Sequence, residues 1–208
     1  MTGVQTCALP IYTIRNPEPI FGLAVQGVVH PDRVFRKSGA RAGDVAVLSK
    51  PIGTGMVTAA GTAEQKQQAI AGMRTTNRAA AETLQSVADS VHAVTDVTGY
   101  GLAGHGWEMA ERSGVRLEIE SSLIPLYVGA SDIAGAGHRT GGDPRNRAYV
   151  EGHLESRAGE TSVALCMDPQ TSGGLLAAVA PGAVDHLVGA GFTVVGRFVA
   201  GAASVAIL

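Results

Sequence analysis

Thr95-Asp-Val-Thr-Gly-Tyr-Gly-Leu-Ala-Gly-His105 governs how the rest of this chain is read. Gly99, Gly101 and Gly104 stand in GxGxxG spacing between an apolar run suited to a strand, His92–Val97, and a helical pattern, Leu102–Arg112. That is the superficial form of a dinucleotide fingerprint, in which glycines allow a tight turn and a helix N-terminus holds pyrophosphate. Glu118 and Glu120 even lie near the distance expected of its acidic residue. Against it, Asp96 comes three residues before the first glycine, beside Thr95 and Thr98, where a Rossmann strand is apolar. A carboxylate there repels pyrophosphate unless a divalent cation lies between them, and Mg²⁺ favours carboxylate plus phosphate oxygens. A third reading is structural: Asp96 caps the turn, and the glycines let helix and strand pack closely.

A second polar stretch, Cys166-Met-Asp-Pro-Gln-Thr-Ser-Gly-Gly174, directly precedes the apolar run Leu175–Val179. Asp168, Gln170, Thr171 and Ser172 concentrate hydrogen-bonding groups, while Gly173 and Gly174 permit close backbone approach. It reads either as a phosphate- or substrate-lining loop or as an Asp-Pro turn. Gly141-Gly-Asp-Pro-Arg-Asn-Arg147 joins glycines to arginines able to grip phosphate, and reads equally as a solvated loop. Lys50-Pro-Ile-Gly-Thr-Gly55 is Gly-rich, but its Lys precedes the loop and it is no Walker A motif. His105 reads as a helix or core histidine, Cys166 as a structural thiol, and His30 with Asp32 as part of a turn.

Outward from these motifs, Val45–Leu48 is expected as a buried strand. Ala63 to about Val87 is expected as one helix or two with a break. Gly114 suits a left-handed helix end after Arg112. Val115–Glu120 alternates as a half-exposed strand. Leu175–Val179, Phe192–Val199 and Ala203–Ile207 read as strands and Ala183–Ala190 as a helix. Interleaved strands and helices indicate an α+β domain, an α/β two-layer sandwich with a mixed sheet covered by helices. Phe21–Val29 reads as a strand that starts abruptly. The expected organisation is a non-native leader at 1–13, a remnant strand of a missing N-terminal domain at 14–36, and one α/β domain at 37–208.

The 208 residues carry 16 basic and 18 acidic side chains, a formal charge of −2, so the dense positive field of a nucleic-acid binder is missing. Gly and charged residues interrupt every hydrophobic stretch, so no membrane partner is expected. Cys7 and Cys166 lie far apart, which argues against a zinc site or a disulfide framework and for a reducing cytoplasm. With 28 glycines and only 4% aromatics, backbone-lined sites are favoured over aromatic grooves.

Together, Phe21-Gly-Leu-Ala-Val, Leu48-Ser-Lys-Pro-Ile-Gly-Thr-Gly55, Thr95–His105, Gly141-Gly-Asp-Pro-Arg-Asn146 and Asp168-Pro-Gln-Thr-Ser-Gly-Gly174 resemble selenophosphate synthetase (selenide, water dikinase) over about residues 14–208. This is a member of the aminoimidazole-ribonucleotide-synthetase-like superfamily. The resemblance implies a transferase that makes selenophosphate, AMP and phosphate from ATP, selenide and water, working as a cytoplasmic homodimer. It implies Mg²⁺ on the ATP phosphates with Asp96 as a metal ligand, and Thr98, Gly99, Gly101, Asp168, Gln170, Thr171, Ser172 and Gly173 at the nucleotide. No catalytic residue is assigned: the family's reactive Cys or selenocysteine and its Lys match nothing in this chain. Further metal-binding aspartates and a Gly-Gly-His loop would precede Thr13, where Pro10-Ile11-Tyr12 stands. Met1–Ile11 instead resembles translated sequencing-adapter read-through, so Cys7 inherits no role, and the chain alone is expected to be inactive. Other readings are a sibling ATP-dependent enzyme, a non-catalytic nucleotide-binding or dimerisation module, and a Rossmann dehydrogenase.

Overall fold

The computed structural model describes residues 26–208. The chain divides after Pro31, and one compact unit runs from Asp32 to Leu208. Its elements in chain order are β1 (Val45–Leu48), α1 (Thr54–Ala60), α2 (Ala63–Arg74), α3 (Arg78–Ser86), β2 (Val91–Asp96), α4 (Gly101–Ser113), β3 (Arg116–Ile119), α5 (Ala130–Gly135), α6 (Asp143–Tyr149), β4 (Leu154–Ser156), α7 (Glu160–Met167), β5 (Leu175–Val179), α8 (Val184–Gly189), β6 (Thr193–Val199) and β7 (Ser204–Ile207). The seven strands form one sheet in the order β2-β5-β1-β6-β3-β7-β4. The pairs from β2 to β3 are antiparallel, whereas β7 runs parallel to both β3 and β4. The sheet is therefore mixed and covered by helices, the α+β class that the pattern implied.

The helix ends follow local chemistry. Thr62 and Gln65 form a reciprocal capping box that starts α2. Thr75-Thr76-Asn77 separates α2 from α3, which resolves the long helical stretch into two helices. Gly114 ends α4 at φ 67°, where a side chain would be strained.

Alternation sorts the strand residues between the faces. Leu48, Leu117, Ile119, Leu176, Val205 and Ile207 point into the larger core with Leu102 and Met109 of α4 and Leu165 and Met167 of α7. Val47, Val94, Ala177 and Val179 point the other way, against Leu84 of α3, Leu187 of α8 and Phe192. Each fully buried Leu, Ile or Phe contributes about 1.5–3 kcal/mol from burial. Beyond α3 and α8 the second face is polar: Arg116 pairs with Glu155 and Glu118, and Arg197 with Glu118.

Some expectations are corrected. The strand expected at Phe21–Val29 lies outside the described residues up to position 25, and 26–30 carry no regular structure. Five of the seven residues of the stretch Gly141–Arg147 are helical, since α6 begins at Asp143 with Pro144 in its first turn. Cys166 and Met167 close α7 rather than open a loop. The helix expected at Ala183–Ala190 is a 3₁₀ turn, Pro181–Ala183, followed by α8. Among the described residues, no helix is long and apolar enough to cross a membrane.

Candidate functional site

Antiparallel pairing brings three motif loops to one end of the sheet. β2 ends at Asp96, which is registered opposite Leu175, the first residue of β5. β1 ends at Leu48, registered opposite Leu176. The loops after β2 and β1 and the loop before β5 therefore leave the same rim of three adjacent strands. Hydrogen bonds fasten them: Val97 N–H donates to Gly174 O at 2.9 Å, Gln170 N–H to Thr98 O at 2.9 Å, and Thr171 N–H to Thr54 Oγ1 at 2.9 Å. The fourth motif joins through Asn146 of α6, whose side-chain amide donates to Gly99 O at 2.9 Å and Met167 O at 2.8 Å.

Asp96 is exposed at the rim, and among the described residues its carboxylate has no hydrogen-bond or ion-pair partner. It does not cap its own turn. A solvent-facing carboxylate beside glycine loops suits a cation that also takes phosphate oxygens and water, as Mg²⁺ does with one or two protein carboxylates. Among the described residues no three His, Cys, Asp or Glu side chains cluster as a self-sufficient metal cage. What is present fits a metal held jointly with a substrate.

Asp168 and Gln170 face inward. Helix α1 starts at Gly53, which is left-handed at φ 108° and has no side chain to cap the helix. Its free amides are met from the other loop. Asp168 Oδ2 accepts from Gly55 N–H at 3.0 Å and Met56 N–H at 3.2 Å, and Gln170 Oε1 accepts from Gly53 and Thr54 N–H at 2.9 and 3.1 Å. Gln170 Nε2 closes the arrangement on Asp168 O at 2.7 Å. Burial raises the Asp168 carboxyl to about 6, against the lowering effect of Met56 N–H, the Gln170 amide and Gly55 N–H. Thr171 and Ser172 are exposed, and Gly173 is buried.

Thr98 Oγ1 meets His105 Nε2 at 3.1 Å. Burial lowers the His105 pKa and the charge of Lys37 adds to this, against Asp96 and Glu108. His105 is 5% exposed, and its Nδ1 stands 3.6 Å from Glu108 Oε2, beyond a hydrogen bond. Gly101 has φ 70°, and a Cβ there would sit 2.6 Å from Cys166 O, so this glycine is required by close packing of α4 against α7. The dinucleotide reading fails on topology. β2 is an edge strand antiparallel to its neighbour, β3 lies four places away, and Glu118 is tied to Arg197.

Residues 41–206 match the AIR synthase related protein, C-terminal domain. The chain belongs to that family. Within it, this chain is 41% identical over 182 residues to selenide, water dikinase of Caldanaerobacter subterraneus subsp. tengcongensis, covering 85% of this chain and 52% of the relative. It is 42% identical over 201 residues to selenide, water dikinase of Burkholderia pseudomallei, covering 89% and 56%. The chain thus spans about half the length of the curated relatives it matches. Among solved structures it is similar to thiamine-monophosphate kinase from Stenotrophomonas maltophilia, with a TM-score of 0.59 at 18% identity over 86% of this chain and 54% of that one. It is similar also to E. coli HypE, a hydrogenase maturation protein, with a TM-score of 0.59 at 17% identity over 84% and 49%. At such identities the likeness concerns the AIR synthase related fold alone.

Of two side chains in the motifs of this family member, Lys50 stands differently from what sequence alone implied and Cys166 stands as implied. Lys50 is 8% exposed and donates to Thr75 O at 2.5 Å and Ser172 O at 2.8 Å, and burial lowers its pKa. No local pattern pointed to it, because its acceptors are 25 and 122 residues away. Cys166 is wholly buried, and burial pushes its thiol up to about 12, which suits a structural role.

Proposed function

We propose that this chain is the C-terminal half of a selenide, water dikinase, and that its Asp96 rim closes over the phosphates of ATP. The observation that carries the reading is the convergence of the β1, β2 and β5 loops around one solvent-facing carboxylate that has no partner among the described residues. The names of the relatives, at 41–42% identity, supply the reaction class. ATP and selenide are the substrates in this reading, and selenophosphate, AMP and phosphate the products. Mg²⁺, when bound, offsets the negative charge gathered on the phosphates during phosphoryl transfer.

This chain's own residues position and orient. Asp96 holds a cation from one side, Thr98 and Gly99 shape the turn behind it, and Thr171 to Gly173 bring backbone and hydroxyl groups to the phosphates. Asp168 and Gln170 act at one remove, by fixing the loop that carries Thr171. The reactive Cys or selenocysteine, its Lys and further carboxylates belong to the other half of the enzyme, which also supplies the homodimer contact in the cytoplasm. The 208-residue chain by itself forms no AMP from ATP and selenide.

The test is thermal unfolding of the 208-residue chain with and without Mg-ATP. A ligand that binds only the folded state raises the midpoint by mass action. Wild type is expected to shift upward with Mg-ATP, and Asp96→Asn to unfold at the same temperature without ligand yet lose the shift. An equal shift in the variant, or none in wild type, sinks the proposal.

A further inference from the structure

Three successive peptide groups of the Ser172–Gly174 turn are pinned by their oxygens. Ser172 O accepts from Lys50 Nζ at 2.8 Å, Gly173 O from Asn77 Nδ2 at 2.8 Å, and Gly174 O from Val97 N–H at 2.9 Å. No peptide bond among the described residues is cis, so in each of these planar units the following N–H points opposite to the carbonyl. The N–H groups of Gly173, Gly174 and Leu175 therefore face away from Lys50, Asn77 and Val97 respectively. For Leu175 the acceptor on that side is Ser49 Oγ at 2.8 Å. For Gly173 and Gly174 there is no acceptor among the described residues, nor is there one for the N–H of Ser172.

Buried backbone donors almost always find a partner, and Gly173 and Gly174 are both buried. The turn also contains Ser172 at φ 51°, the one non-glycine residue with positive φ among the described residues. A left-handed residue within a turn makes successive amides converge on one point, the concavity that binds anions. Side chains cannot replace the glycines. A Cβ on Gly173 would collide with the Val97 carbonyl, and one on Gly174 would sit 2.6 Å from Lys50 N.

We infer that the amides of Ser172, Gly173 and Gly174 form a nest for one phosphate group, and that Lys50 and Asn77 are positioning residues that hold it open through its carbonyls. Lys50 does not touch the anion. Its ammonium polarises the Ser172 carbonyl and so strengthens the Gly173 N–H on the far side of the same peptide. The phosphate would meet backbone dipoles that are fixed before it arrives, at no cost in side-chain ordering. The inference deepens the proposed function and rests on it only for naming the anion as part of a nucleotide.

The test is titration of the ¹⁵N-labelled 208-residue chain with inorganic phosphate and with pyrophosphate, in chelator so that no divalent cation is present, followed by amide NMR. The Gly173 and Gly174 resonances are expected to shift along one saturable curve. In chelator Asp96→Asn should bind phosphate at least as tightly as wild type, since it removes no nest amide and takes away a carboxylate that repels the anion. Lys50→Met should weaken binding about tenfold, the worth of one hydrogen bond, and Lys50→Arg should restore most of it. Should Lys50→Met fail to fold, Asn77→Ala, which frees the Gly173 carbonyl, is expected to weaken binding in the same direction. The inference is overturned by shifts scattered over exposed lysines and arginines without saturation, by unchanged binding in the foldable positioning variant, or by loss of binding in Asp96→Asn. Phosphate binding without metal in Asp96→Asn would survive failure of the Mg-ATP test, so the two proposals fail separately.

Discussion

Gln170 takes both hydrogens that Thr54 can offer: its Oε1 accepts the Thr54 N–H at 3.1 Å and the Thr54 hydroxyl at 3.1 Å. The same oxygen accepts from Gly53 N–H, so one buried side chain from the β5 loop serves as the missing N-cap of α1. Removing it leaves those donors buried without an acceptor. Gln170→Ala is expected to destabilise the chain by about 2–3 kcal/mol, the penalty for unsatisfied buried groups. Urea denaturation measures this, and a loss below about 0.5 kcal/mol would show that water replaces the side chain.

That cap also marks where sequence reading stopped. β5 and β1 were legible because short apolar runs flanked by polar turns have few alternatives, and the end of α4 because Gly114 supplies the left-handed residue a helix terminus needs. The resemblance placed the motifs around Asp96 and Asp168 together, but not the joining of Thr54 and Asn146 to them. The inward turn of Asp168 and Gln170 was not legible, since their partners Gly55 and Thr54 lie 113 and 116 residues away. α5 and α6 span only six and seven residues, too short to show a 3.6-residue period. α7 buries Val163 through Met167 consecutively, so it has no polar face to reveal it.

Asp168 predicts a pH dependence. Its folded carboxyl titrates at about 6, above the ordinary 3.8, so the folded chain holds this proton more tightly than the unfolded chain. The stabilisation is complete below about pH 4 and is lost as pH rises through about 6, worth on the order of 3 kcal/mol. Asp168→Asn removes the titration while keeping an oxygen for the amides of Gly55 and Met56. The difference in unfolding free energy between wild type and variant should change steeply between pH 4 and 6.5 and be flat above it. A constant difference across that range would mean the carboxyl is not raised.

Cys166 should be silent to thiol reagents in the native state, because a thiol pushed up to about 12 supplies almost no thiolate at neutral pH and none of it is exposed. In a Cys7→Ser background, labelling by a thiol-reactive dye is expected only at denaturant concentrations that unfold the chain. Rapid labelling under native conditions would show that α7 opens locally.

Asn146 predicts a link between stability and the shape of the Asp96 rim. It is fully buried, and its amide ties Gly99 O in the turn after Asp96 to Met167 O at the end of α7. On the same helix Tyr149 stacks on Tyr100, with ring centroids 4.5 Å apart. Asn146→Ala strands two carbonyls and keeps the tyrosine stack between α6 and that turn. The expected cost is about 2–3 kcal/mol in urea denaturation. Amide exchange in Thr98–Gly101 is expected to quicken by more than exchange in β6, whose pairing with β1 and β3 does not pass through Asn146. If exchange rises equally in both places, the side chain contributes to overall stability alone, and the turn that aims Asp96 is held by Gln170 and Val97 without it.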